Sequence, residues 1–190
     1  MRWPDGAAAR SFTVGSHPAA TTALFAVPIG AQATPKVGFR ADYLTQLADV
    51  EKKLVSLAEA TPQDKLDWRP AKGVRSGGEV YLHLAEDNFM IPAALGVKSP
   101  ITPGKNFDTQ TTDKAKIVSI LKQSIATTRA AANTVKDSDL DKEVMLFGEK
   151  YSQRAALIIM LTHMSEHLGQ EIAYARMNGI VPPWSRPSGS

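Results

Sequence analysis

The chain has 190 residues, 43% hydrophobic and 22% charged, with a formal net charge of +3 and no cysteine. That composition suits one folded domain with a tail to spare, and a core of about 150 residues buries enough apolar surface to be stable alone. It excludes disulfides, thiolate metal sites and a cysteine nucleophile on this chain. It leaves nitrogen and oxygen as metal donors, and Lys and Arg spread without a basic run give nucleic-acid binding no support.

Residues 1–38 differ from the rest, being rich in Ala, Gly, Pro, Ser and Thr. Within them AATTALFAVPIGAQA is an apolar run closing on Ala31-Gln32-Ala33, with Arg2 and Arg10 upstream. This reads either as a secretory signal or as a disordered tail, so a cytoplasmic and a secreted or periplasmic location both stay open. The run is shorter than the ~20 apolar residues of a membrane span, and no membrane association is expected. The folded domain is expected over residues 39–190.

Tyr43, Leu47, Val50, Leu54 and Leu57 recur at helical spacing and predict a first helix from Phe39 to the Thr61-Pro62 break. The polar connector TPQDKLDWRPAKGVRS follows. Ser76-Gly-Gly-Glu79 is a capping box that opens a second helix, with Val80, Leu84, Ile91 and Leu95 on its apolar face and Gly96 as a left-handed stop. A third helix opens around Thr111–Asp113 and buries Ile117, Leu121, Ile125, Thr128, Ala132 and Val135. The loop after it holds one short extended piece at Val144–Phe147. The fourth helix runs from about Ser152 to Asn178 and stops at Gly179, with Pro182-Pro183 beyond. Four helices and no convincing sheet predict an all-α, antiparallel four-helix bundle, with long loops closing one end.

The chain has four histidines, and His163 and His167 lie one turn apart on the fourth helix. Beside them run Met160, Gln170 and Tyr174, and next to that stripe Leu157, Leu161, Met164, Leu168 and Ile172. The pair therefore borders the buried face. It serves a metal, proton transfer or ordinary packing; the segment reads His-Met-Ser-Glu-His, so the zinc-peptidase motif is absent. His83 on the second helix, one turn before Asp87, adds a third imidazole to the same core. Three buried imidazoles without partners would cost ~1–3 kcal/mol each, and a shared divalent ion would satisfy one nitrogen on each ring. His17 lies in the excluded tail.

VYLHLAEDN on the second helix, LTHMSEHLGQEIAYARMNGIVPPW on the fourth and the connector TPQDKLDWRP resemble the DinB-like (YfiT-like) four-helix bundle superfamily over roughly residues 39–184. The resemblance implies a divalent metal held by His83, His163 and His167, with zinc or nickel the usual ion. It also implies a small-molecule substrate: members with known activity are mostly thiol S-transferases or thiol-dependent isomerases using low-molecular-weight thiols. A metal-dependent thiol S-transferase or related hydrolase or isomerase is therefore the expected function, as monomer or homodimer. The second reading is a non-catalytic metal- or ligand-binding bundle.

Other residues carry two readings each. Asp87 either orients a ligand or acts as a base, or is a bundle-polar residue. Gln170 either bonds a ligand imidazole or bound water, or bonds a loop backbone. Trp68 and Trp184 either cap the open end of the bundle or are buried aromatics at loop anchors. Glu166 projects about 100° from His167 and is expected in solvent. Tyr174 and Arg176 are expected as packing and surface residues, Met90 and Met160 as core.

Overall fold

The computed structural model describes residues 36–187. The signal-like segment, His17 and the last three residues lie outside the described residues. Helices α1 (Phe39–Ala60), α2 (Gly77–Ala94), α3 (Lys114–Thr134) and α4 (Gln153–Met177) occupy the predicted spans. Their ends follow local chemistry. The Ser76 side chain accepts from the Glu79 N–H while Glu79 accepts from the Ser76 N–H, the reciprocal box expected. Asp113 and Ser152 cap α3 and α4 with a single bond each, accepting from the Lys116 and Ala155 N–H groups. Both α2 and α4 stop at a glycine with positive φ, Gly96 at 80° and Gly179 at 72°. There Val97 N–H bonds Pro92 C=O and Ile180 N–H bonds Ala175 C=O, so carbonyls orphaned by the helix end are satisfied.

α1 packs against α3 and α4, and so does α2, which leaves α1 and α2 on one diagonal. Directions follow from which ends meet. Arg40, 5% exposed, donates through Nε to Ala132 C=O at 2.9 Å, placing a cation on the last turn of α3. Lys114 and Lys122 near the start of α3 reach Glu59 at the end of α1, so α1 and α3 are antiparallel. α2 and α4 are antiparallel too: Gly77 lies against Glu171, and Asp87 against His163. Between these pairs the neighbours run parallel. Gly78 meets Ile117 and Asn88 bonds Ser124, both pairs in step along α2 and α3. Arg154 at the start of α4 stacks on Phe39 at the start of α1.

Parallel α2 and α3 impose a return crossing. The 18 residues of α2 span about 27 Å, and segment 95–113 covers that distance. It is fastened midway by Phe107, packed edge to face on Phe89 beside Ala85. The 61–76 connector closes the end where α1 finishes and α2 starts. Gln63 ties it to the start of α3 through Thr112 C=O and the Lys114 N–H, and Gly78 N–H bonds Leu66 C=O at 2.8 Å.

Three expectations are corrected. The extended piece after α3 is one strand of an antiparallel hairpin, β1 (Glu143–Leu146) with β2 (Glu149–Ser152). Its two-residue turn, Phe147-Gly148, has positive φ at both positions, as the twist of a tight hairpin requires. Met90 is not core but 44% exposed, and Trp184 is 39% exposed rather than buried. Met160 is fully buried as expected.

One buried carboxyl was not expected. Glu171, 3% exposed, lies on the Met164–Leu168–Ala175 stripe of α4, against the first turn of α2. Burial raises its pKa from 4.5 to about 8, with the neighbouring Tyr81 phenol pulling the other way. The folded pKa lies above the unfolded one, so this group's contribution to stability is full below about pH 4.5 and declines as pH rises to about 8. Glu171→Gln, neutral throughout, is expected to gain in Tm over the wild type as pH is raised across that window. A Tm difference that stays flat would show that Glu171 ionises freely in the fold.

Candidate metal centre

The antiparallel α2–α4 seam brings His83, His163 and His167 together. One ring nitrogen from each lies within 4.8 Å of the other two. The rings meet edge to face in all three pairs, with centroids 5.3, 5.1 and 4.5 Å apart and planes near perpendicular. Side-chain exposure is 20% at His83 and 11% at His163, so the cluster sits at the edge of the core with its rim open.

Burial holds two of the three rings neutral. His83 is pushed down to about 4, first by desolvation and then by the Arg75 guanidinium and the other two imidazoles, against the pull of Asp87. His167 is lowered chiefly by desolvation, against its hydrogen bond to Gln170. At neutral pH both therefore keep a lone pair for a ligand. The donor set is three imidazole nitrogens, suited to a first-row divalent ion, and the residues fit the metal that the family resemblance implied.

Hydrogen bonding selects the nitrogen that His167 offers. A backbone carbonyl can only accept, so Tyr174 Oη donates to Arg75 C=O at 3.3 Å. The phenol oxygen then accepts from Gln170 Nε2 at 2.8 Å. That turns Gln170 Oε1 toward His167 Nδ1, 2.8 Å away, which must carry the proton. The free lone pair is on Nε2. Gln170 thus takes the first of its two readings, a bond to a candidate ligand, and reaches the loop backbone only through Tyr174. This is the outer support by which proteins fix the tautomer of a ligating histidine.

Asp87 Oδ2 lies 2.8 Å from His163 Nε2 and 3.7 Å from His83 Nε2, so it belongs to the cluster. Glu166 and Arg176 are exposed, as expected. Trp68 packs edge to face on Tyr174, centroids 5.4 Å apart, and covers the outer end of the Gln170 chain. Sequence reasoning missed the hydroxyl role of Tyr174 and the proximity of Arg75. The first was signalled by its place one turn beyond Gln170. Arg75 carried only its position before a helix cap.

Comparison with known proteins came to the same fold. The family model of the DinB superfamily matches residues 46–170. A DinB-like protein from Bacillus cereus superposes with a TM-score of 0.65 at 20% identity, over 74% of this chain and 93% of that one. The DinB-like protein YjoA from Bacillus subtilis gives 0.59 at 22% identity, over 77% and 99%. YfiT from Bacillus subtilis gives 0.59 at 18% identity, over 81% and 97%, and is described as "a probable metal-dependent hydrolase with an unusual four-helix bundle topology". No curated protein sequence matches the chain.

Tyr174→Phe keeps the ring on Trp68 but removes the hydroxyl that polarises Gln170, leaving that amide free to flip. Zinc affinity, measured by competition with a chromophoric chelator, is expected to fall about tenfold, at the lower end for a lost outer-shell bond, with unchanged circular dichroism. Unchanged affinity would refute the tautomer argument.

Proposed function

This chain belongs to the DinB superfamily, and from that premise we propose that it binds one divalent ion through His83, His163 and His167 and acts on a small molecule beside it. The observation that carries the proposal is the convergence of three imidazoles within 4.8 Å, two of them held neutral by burial. Zinc or nickel is the proposed ion, since neutral nitrogen ligands suit both.

The proposed reaction is transfer of a low-molecular-weight thiol to an electrophile, with hydrolysis as the related alternative. The chain has no cysteine, so the thiol is a cosubstrate. A bound divalent ion would supply Lewis acidity, lowering the pKa of a thiol or water. Asp87, with Oδ2 facing the His83 and His163 Nε2 atoms, is the proposed acceptor of the proton that leaves. Gln170 and Tyr174 hold His167 in one tautomer. The open rim admits the substrate, and Trp68 shields the outer hydrogen bonds from water.

Elemental analysis of untagged protein beside His83→Ala/His167→Ala is the test. About one ion per chain, lost in the double variant, is expected. No ion after zinc or nickel addition would remove the proposal. In the loaded protein, conjugation of a low-molecular-weight thiol to an electrophile is expected, and Asp87→Asn should slow it about 10²-fold with metal content intact. Full metal content without turnover of any common thiol would leave the non-catalytic bundle as the function.

A further inference from the structure

We propose that the small molecule handled at the three-histidine site carries an anionic group, a carboxylate or a phosphate, and that Arg75 is the residue that receives it. This rests on the reading of the site given above and adds its substrate class.

An open pocket of about 570 Å³ adjoins the histidines, lined by Gly73, Val74, Arg75, Asp108, His167 and Gln170. Arg75 is the one cationic side chain on that wall. Its Nε donates to Asp108 Oδ2 at 3.1 Å, and among the described residues neither Nη has a hydrogen-bonding partner. A planar fork with both Nη groups free, beside His167, matches the two oxygens of a carboxylate or phosphate. The guanidinium shares the pocket wall with His167 and Gln170.

The backbone that carries this side chain is fastened on both sides. Arg69 Nη1 donates to Val74 C=O at 2.9 Å, and its guanidinium forks onto Glu79. Arg75 C=O accepts from Tyr174, and Ser76 is locked in the capping box. Arg75 therefore projects from a segment that cannot swing away from the cluster. The surrounding acids sharpen the assignment. Glu86, Asp87 and Asp108 crowd the same rim, and the Glu86 carboxyl is raised by burial and then by the other two. Among the residues that line the pocket, Arg75 alone offers a positive charge to an anion.

Asp108 holds the guanidinium in the absence of ligand. It stands beside Phe107, which is seated against Phe89, so its position is set by the return crossing. An incoming anion competes with it or shares the fork, and Asp108 thereby tunes affinity. As a structural tie alone, a half-exposed ion pair of this kind contributes little to stability. Its removal should leave the fold intact.

The test uses the full chain loaded with cobalt(II). It is titrated with 3-mercaptopropionate and with 2-mercaptoethanol, following thiolate charge-transfer absorption. The wild type is expected to prefer the carboxylate-bearing thiol about tenfold, the size of one charge-assisted bidentate contact near a surface. Arg75→Gln should erase that preference while leaving 2-mercaptoethanol within about twofold, because the side chain is lost but the carbonyl used by Tyr174 stays. Arg75→Lys, which keeps the charge without the fork, should restore only part of it. Asp108→Asn should tighten 3-mercaptopropionate alone. If cobalt loads and the preference is absent, survives Arg75→Gln, or neither thiol binds, the role of Arg75 is overturned while the metal site stands. If cobalt does not load, the histidine reading itself falls and this proposal with it.

Discussion

Three imidazoles packed edge to face between α2 and α4 constrain most of what surrounds them. Each ring brings two polar nitrogens to the edge of an apolar core, and an unmatched one costs ~1–3 kcal/mol. Burial resolves the charge by keeping His83 and His167 neutral. The donor and acceptor roles are set at His167 by Gln170 and Tyr174, while Asp87 lies beside His163 and His83. The Tyr174 hydrogen bond ends on the carbonyl of Arg75, immediately before the cap of α2. The seam therefore fixes the helix start as well as the ligand tautomer. The capping box, the Arg69–Glu79 fork and the Leu66–Gly78 bond stiffen the same few residues.

The bundle topology places that seam. α2 has α3 on one side, running parallel, and α4 on the other, running antiparallel. Its buried residues lie on nearly every face, from Val80 and Tyr81 through Leu82, Leu84 and Ala85 to Phe89. One sector, running through Glu79, His83, Glu86, Asp87 and Met90, stays open or partly open. That sector faces the His163–His167–Gln170 edge of α4, where the chemistry-bearing groups of the two helices meet. The return crossing then brings Asp108 to the rim.

The helices were legible because their signals are local. The Ser76 and Asp113 caps, the Gly96 and Gly179 stops and the apolar spacing of 117, 121, 125, 128, 132 and 135 each depend on a few adjacent residues. The histidines were legible because i and i+4 positions share a face. The β2 strand was not, since Glu149–Ser152 carries no alternating pattern and owes its conformation to a tight turn with Phe rather than Asn at its first position. Met90 and Trp184 were misplaced because helical spacing says which residues share a face but not which face a loop covers. Glu171 stood out only as an acid on an apolar stripe. Arg75 had no signal at all, since its partners are Asp108, 33 positions away, and Tyr174, 99 away.

The diagonal placement of α1 and α2 has a consequence for the order in which the protein is made. α1 and α2 pack on α3 and α4 rather than on each other, so the two together form no core of their own. α3 gives each of them a partner, but α4, last to emerge, carries two of the three imidazoles and one flank of both early helices. Until α4 is made, His83 stands without the other two imidazoles, and α1 and α2 each keep an open apolar face. Closure of the core and the meeting of the three imidazoles then fall in the same step, so that a chain truncated before α4 lacks both.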